Sequence, residues 1–212
     1  MNDLSQLRND YRLTRLDETN MDVNPVVQFR YWLNEAIRAE ASEPNAMVLS
    51  TSTINGRPSS RVVLLKNLDG EGFTFFTNFE SRKGVEISNN PFGSLLFFWP
   101  VLERQVRIEG KIFRTPDHES DEYFKTRPEG SRIGAWASPQ SRVVPDREYI
   151  EQLHREFTER FRYQGMERPA NWGGYKLKPE IIEFWQGREN RLHDRLEYKW
   201  KGNQWEISRL AP

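Results

Sequence analysis

Residues 47–77 read MVLSTSTINGRPSSRVVLLKNLDGEGFTFFT, and this stretch decides the architecture. Asn55-Gly56 between two apolar runs is a strong hairpin signal, and Asp69-Gly70 marks the next reversal. Strands are therefore expected over 47–53, 59–66 and 72–77. Downstream, a short helix near 81–88 precedes a second hairpin, 94–99 with 105–114, and the tail returns to strands around 174–178, 181–185, 191–200 and 204–209. Helices are fewer. Asn24-Pro25 reads as a cap with proline in the first turn, followed by Phe29, Trp32, Leu33, Ala36 and Ile37 at helical spacing up to about Ala41. Thr115-Pro116 opens a helix that Pro128 ends, and Asp146 caps another whose Ile150, Leu153, Phe157 and Phe161 face one way. Many short strands joined by tight turns predict a mainly β fold, an antiparallel barrel with flanking helices. Residues 1–23 read as a flexible arm with a short helix around Leu4–Tyr11, and 24–212 as a single domain without internal repeats.

Composition narrows the chemistry. The 212 residues include 36% hydrophobic but 13% aromatic side chains, so large rings supply much of the expected core. Lys plus Arg and Asp plus Glu each number 31, a balance that argues against a nucleic-acid binder and makes any anion site a local cluster. With no Cys, thiolate catalysis, disulfides and Cys-ligated metals are excluded; His118, His154 and His193 lie too far apart in sequence to suggest zinc. The polar start MNDLSQLRND does not resemble a signal peptide, and no apolar run approaches ~20 residues, so a soluble cytoplasmic protein is expected.

Four stretches combine residues suited to holding anions or moving protons. In SRKG at 81–84, Ser81 is a good N-cap, which puts Arg82 and Lys83 in a first turn where cations oppose the helix dipole. The arrangement makes sense if an anion sits at the helix start; solvated surface charge is the plain alternative. RVVLLK at 61–66 reads as a strand buried on both faces with charged ends, Arg61, Val63 and Leu65 on one face and Val62, Leu64 and Lys66 on the other. Taken alone, a core strand with solvent-reaching ends is the better explanation of this stretch. Tyr123 and Arg127 share a helix face and Ser131 follows in the turn, a set suited to a phosphate monoester or to a charged, frayed helix end. RLHDR at 191–195 reads as the start of a strand with Arg191, His193 and Arg195 on one face, where the guanidiniums repel unless an anion or carboxylate neutralises them. His193 can titrate near neutral pH. Trp185 in IIEFWQG reads as a core or interface residue, and Gln105 suits a hydrogen bond to a heterocycle or to neighbouring backbone.

In order along the chain, RVVLLK, FFTN, SRKG, LERQVRIEG, the Tyr-x-x-x-Arg-Pro helix, GAWASPQS, IEFWQG, RLHDR and the terminal RLAP resemble the pyridoxine/pyridoxamine 5'-phosphate oxidase family, from about Leu7 to Pro212. The resemblance implies a homodimeric FMN-binding split barrel with C-terminal dimerisation strands and two flavins in clefts at the subunit interface. It implies oxidation of pyridoxine and pyridoxamine 5'-phosphates to pyridoxal 5'-phosphate, with oxygen reduced to hydrogen peroxide. Carried over, Arg61, Val62, Val63, Leu64, Leu65, Lys66, Phe76, Thr77, Arg82, Lys83 and Gln105 would contact FMN, and Gln140, Ser141, Trp185 and Arg195 would do so from the other side of the cleft. Lys66, Tyr123, Arg127 and Ser131 would hold the substrate phosphate, while Arg8, Asn9, Asp10 and Tyr11 would close over it. Arg191, Leu192 and His193 would lie at the reacting carbon, with Arg191 and His193 as catalytic residues that orient its substituent and accept its proton. Arg195 or Lys66 would stabilise negative charge on the reduced flavin. No metal is implied. Phe76 departs from the pattern, which often has Tyr there. Competing readings are a split-barrel flavin reductase, a non-catalytic pyridoxal phosphate-binding protein, and a barrel gripping single-stranded nucleic acid, against which the balanced charge argues.

Overall fold

The computed structural model describes residues 10–212. One nine-stranded sheet, antiparallel at every pairing, forms the body, with strand order β2-β1-β5-β6-β7-β4-β3 and with β8 on β7 and β9 on β8. The strands are β1 (Ala46–Ser52), β2 (Pro58–Leu64), β3 (Asn67–Leu68), β4 (Phe73–Asn78), β5 (Phe92–Trp99), β6 (Arg104–Arg114), β7 (Trp172–Gln186), β8 (Asp194–Trp200) and β9 (Trp205–Leu210). The helices are α1 (Pro25–Arg38), α2 (Arg82–Asn89), α3 (Asp117–Thr126), α4 (Glu129–Ala137) and α5 (Arg147–Arg162). The hairpin expected at Asn55-Gly56 joins β1 to β2, with Gly56 at φ 79°. Lys66 N–H donates to Thr74 C=O (2.9 Å), which draws the end of the first hairpin onto β4 and curls the sheet.

Helix α1 plugs the curl. Asn24 caps it by accepting from Val26 N–H, Pro25 occupies the first turn, and Phe29 and Trp32 enter the core. Phe29 meets Phe73 and Phe97 with ring centroids 4.9 and 4.8 Å apart, and Trp32 meets Phe184 at 5.0 Å. Burying a ring of this kind stabilises the fold by ~1.5–3 kcal/mol, so this aromatic set compensates for the modest aliphatic content.

Several boundaries differ from the sequence expectation, each for a physical reason. The strands expected at 174–178 and 181–185 are one 15-residue strand, β7, despite Pro179. Its register against β6 shifts at Glu109/Gly110, and Pro179 pairs with Gly110 at this irregularity, where a strand tolerates a residue without N–H. Gly110 has to lack a side chain, because a Cβ there would collide with the Lys178 carbonyl. Ser131 lies in α4 rather than in a turn; Pro128 C=O accepts from the Ser131 and Arg132 N–H groups, so the proline that ends α3 also starts α4. Gly130 and Gly134 hide this helix from a propensity reading. Finally, β8 begins at Asp194, not Arg191: Asn190 and Arg191 take positive φ (56° and 60°) in a tight turn.

Most of the proposed 4–11 helix lies outside the described residues, and Asp10 and Tyr11 are not helical. Residues 12–22 are tied to the sheet instead. Glu103 accepts from the Arg12 and Leu13 N–H groups, Asp194 from Leu16 N–H, and Arg209 donates to Leu16 C=O and Glu18. Among the described residues no helix is long and apolar enough to cross a membrane.

Gly84 in α2 packs against the Phe79 backbone so closely that a Cβ would overlap its carbonyl. Gly84→Ala is expected to destabilise the protein by ~1–3 kcal/mol. Gly134→Ala, where a Cβ meets nothing within 4 Å, should be neutral or stabilising by up to ~1 kcal/mol. Thermal melts of the two variants read the difference, and equal shifts would refute the close approach of α2.

Candidate functional site

A cavity of about 640 Å³ opens between β2, β4, the end of α3, α4 and the segment after it. Its wall carries Arg61, Lys66, Lys83 and Arg127, and no carboxylate is among the lining residues. The sequence order explains the convergence: Arg61 stands on the edge strand β2, Lys66 just beyond it, Lys83 in the first turn of α2, and Arg127 where α3 stops. Four like charges on one wall repel one another, and an anion brought in from outside the lining set relieves that.

Arg127 is the sharpest case. Its guanidinium lies over the Trp172 ring, 4.6 Å from the centroid, and burial lowers its pKa from the ordinary value. Its Nη1 is buried with no hydrogen-bond partner. An orphaned guanidinium nitrogen costs free energy unless a ligand oxygen meets it. Lys83 Nζ donates to Gln140 Oε1 (3.0 Å), Thr77 Oγ1 (3.2 Å) and Ser81 Oγ (3.3 Å). Burial, reinforced by the Arg61 charge and opposed by Glu86, pulls the Lys83 ammonium down to about 8. Both features fit a phosphorylated ligand.

The floor is aromatic. Phe76 stacks on Tyr123 at 4.0 Å between centroids and on Trp172 at 5.5 Å. The phenyl ring at 76 satisfies this packing without a hydroxyl. Gly174 leaves room for it, since a Cβ there would touch the Phe76 ring.

A second cluster lies at the other end of β7. Trp185 and His193 are 4.6 Å apart, and Tyr11 meets them edge-on at 5.7 and 5.9 Å. His193 Nδ1 accepts from the Arg188 N–H (3.1 Å), so the neutral ring carries its proton on Nε2. Burial and the neighbouring Arg191 charge lower its pKa, which favours that neutral form. Beside the cluster, the buried Glu183 carboxylate pairs with Arg195 (2.8 Å) and Arg107 (2.7 Å). Gln105 faces Trp185 across the β6–β7 ladder.

The structure thus gathers Arg61, Val62, Val63, Leu64, Lys66, Phe76, Thr77, Lys83, Tyr123, Arg127, Ser131 and Gln140 around one cavity. Several expectations change. The RVVLLK strand is not buried on both faces: β2 is an edge strand and Val62 is 65% exposed. Leu65 turns into the core, and its N–H and C=O both bond Asn45, so it does not line the cavity. Gln140 shares a wall with Lys83 and Thr77 instead of lying opposite them, and exposed Ser141 follows it at φ 69°. Arg82 turns toward Glu86 and does not line the cavity. Arg191, Leu192 and His193 precede β8, so they do not share a strand face with Arg195. Tyr11 belongs to the second cluster, Asp10 pairs with Arg12, and Arg8 and Asn9 lie outside the described residues. Sequence reasoning missed Thr126, Pro128 and Trp172 in the lining; the Gly173-Gly174 pair after Trp172 was the available sign of a close approach. Among the described residues no cluster of three His, Asp or Glu side chains could hold a metal ion.

Comparison with known proteins adds to this geometry. Residues 33–160 match the family described as Pyridoxamine 5'-phosphate oxidase, and 172–212 match the Pyridoxine 5'-phosphate oxidase C-terminal dimerisation region. A pyridoxine/pyridoxamine 5'-phosphate oxidase of Cyanothece sp. is 53% identical, covering 99% of this chain and 98% of the relative. One from Cupriavidus necator is 52% identical over all of both chains. Among solved structures, PhzG from Burkholderia lata in complex with tetrahydrophenazine-1-carboxylic acid superposes with TM-score 0.90 at 31% identity, covering 96% of this chain and 100% of that one.

Because the Lys83 ammonium is held at about 8, one lysine should titrate near pH 8 in NMR spectra of reductively methylated or side-chain-labelled protein. Lys83→Gln should remove that titration. Lysines that all titrate near their ordinary pKa would show that Lys83 is not desolvated.

Proposed function

This chain belongs to the pyridoxamine 5'-phosphate oxidase family, and we propose that it is an FMN-dependent oxidase converting pyridoxine and pyridoxamine 5'-phosphates to pyridoxal 5'-phosphate, with oxygen reduced to hydrogen peroxide. The observation that carries this reading is the cavity without carboxylates, in which a buried Arg127 nitrogen lacks an acceptor. A phosphate supplies such acceptors, and FMN and the substrate each carry one. When bound, FMN supplies the hydride acceptor for the substrate C4' carbon.

The chain's own residues bind and orient. Arg61, Lys83, Thr77 and Gln140 would hold the cofactor, while Lys66, Tyr123, Arg127 and Ser131 would hold the substrate phosphate and so set the ring's register. Arg195 is already paired with Glu183, whereas Lys66 has no carboxylate partner among the described residues. Lys66 is therefore the better cation for developing negative charge.

The Trp185–His193 cluster reaches this cavity from a second copy. Trp172 lines the cavity and Trp185 lies thirteen positions further along β7, up to about 40 Å away at strand rise. A two-fold pair sets one end of that strand in each copy against the other end in its mate, making two equal sites. The match to a dimerisation region over 172–212 supports this assembly. Arg191, whose guanidinium offers donors and no acceptor, orients the C4' substituent. His193, with Nδ1 engaged, presents Nε2–H and donates to that substituent; it does not take its proton unless it releases the Arg188 N–H. This revises the expectation of His193 as proton acceptor.

Oxygen uptake and peroxide release, measured with both B6 phosphates and added FMN, test the activity. Oxidation of NADPH in their place would indicate a flavin reductase. Arg127→Ala should raise KM by about 10- to 100-fold through loss of a charge-assisted bond worth ~1.5–3 kcal/mol, with kcat little changed. Arg191→Ala should cut kcat sharply while FMN stays bound; unchanged turnover removes Arg191 from the chemistry.

A further inference from the structure

Behind the cationic wall stands a carboxylate to which the proposed chemistry gives no part. Glu86, on α2, is 4% exposed. Its Oε2 accepts from Ser59 Oγ and Thr51 Oγ1, both at 2.5 Å, and lies 3.4 Å from Arg61 Nη2. Its Oε1 accepts from Arg82 Nε at 2.9 Å. Arg61 closes the network, donating from Nη1 to Thr51 Oγ1 (2.6 Å) and Leu49 C=O (3.3 Å) and from Nη2 to Ser59 Oγ. Residues from β1, β2 and α2 thus meet on one buried negative charge. Although burial opposes ionisation, the bonds from Ser59, Thr51 and Arg82 hold the Glu86 carboxyl down at about 2, so it is ionised at any working pH.

We propose that Glu86 is a positioning residue for cofactor phosphate recognition, clamping Arg61 from β2 against Arg82 from α2 so that the phosphate meets an Arg61 guanidinium already fixed in direction. The inference rests on the flavin reading above. Arg61 lines the cavity while both its amino groups are engaged by Leu49, Thr51, Ser59 and Glu86, none of which lines it, so its orientation is set before any ligand arrives and Nε is left to donate. Arg82, which does not line the cavity, holds Glu86 from the α2 side through Nε.

Two physical effects of Glu86 have opposite sign, which makes the assignment testable. As a nearby negative charge it weakens the field on an incoming phosphate, so its removal should tighten binding. As a clamp it removes the rotamer freedom of two long side chains, so its removal should weaken binding. The closed hydrogen bonding favours the second: without the carboxylate, Arg61, Ser59 and Thr51 lose their common acceptor in a buried place.

The test titrates FMN and riboflavin into the full chain stripped of flavin, following quenching of flavin fluorescence. Riboflavin lacks the phosphate and so reports everything except its recognition. Glu86→Gln should raise the FMN Kd by about tenfold, the loss of roughly one charge-assisted bond, and leave the riboflavin Kd within about twofold. Ser59→Ala, which cuts one link between Glu86 and Arg61 while keeping both charges, should give the same selective loss at about threefold, and it carries the test if Glu86→Gln does not fold. FMN binding that is unchanged or tighter in the folded variants overturns the clamp and leaves Glu86 as charge balance; equal loss of both flavins overturns it in favour of a purely structural role. A wild-type chain that binds FMN no better than riboflavin would sink the flavin-phosphate reading itself, whatever the variants do.

Discussion

Repulsion among cations sharing one wall is the constraint around which the site is arranged. Arg61, Lys66, Lys83 and Arg127 converge on a space whose lining holds no acid. The fold tolerates this through neutral or remote compensation: an indole face under Arg127, the Gln140 amide against Lys83, and one carboxylate set behind Arg61. Each device lowers the cost of gathering the cations without supplying the acceptor that a phosphate would bring. The site is pre-organised for an anion in the sense that the protein has already met the cost of orientation.

The other organising element is β7. It pairs with β6 along most of its length, with β4 over its first half and with β8 over its second. Because Trp172 and Trp185 mark its two ends, one strand carries both the cavity floor and the aromatic–histidine cluster, and it holds them apart. A rigid strand cannot fold back to join its own ends, so the joint site proposed above calls for two copies, in line with the match of 172–212 to a dimerisation region.

Charge pairing separates residues that look alike in sequence. Arg191 and Arg195 are both basic residues of RLHDR, yet Arg195 is committed to Glu183 while Arg191 sits exposed in a turn of positive φ. Arg82 and Lys83 are adjacent, yet Lys83 turns into the cavity and Arg82 turns back to Glu86. The relatives at 52–53% identity place the chain in its family, but these local pairings indicate which cation remains available to a ligand.

The sequence by itself determined the antiparallel strand plan, the α1 plug and its cap, and most of the cavity residues. These rest on short-range physics, namely period-two alternation, turn chemistry at Asn55-Gly56 and capping at Asn24, together with motif order along the chain. What only the tertiary structure decided depends on partners remote in sequence. Leu65 became core because Asn45 took its backbone groups; Pro179 stayed within a strand because Gly110 lies opposite; Glu86 and Glu183 emerged as the acids that hold Arg61 and Arg195. The RLHDR stretch left its expected strand because the Arg188 N–H finds an acceptor on His193, a hydrogen bond that alternation cannot anticipate. Periodicity records which face a side chain occupies, whereas neutralisation and desolvation are set by whatever the fold brings against that face.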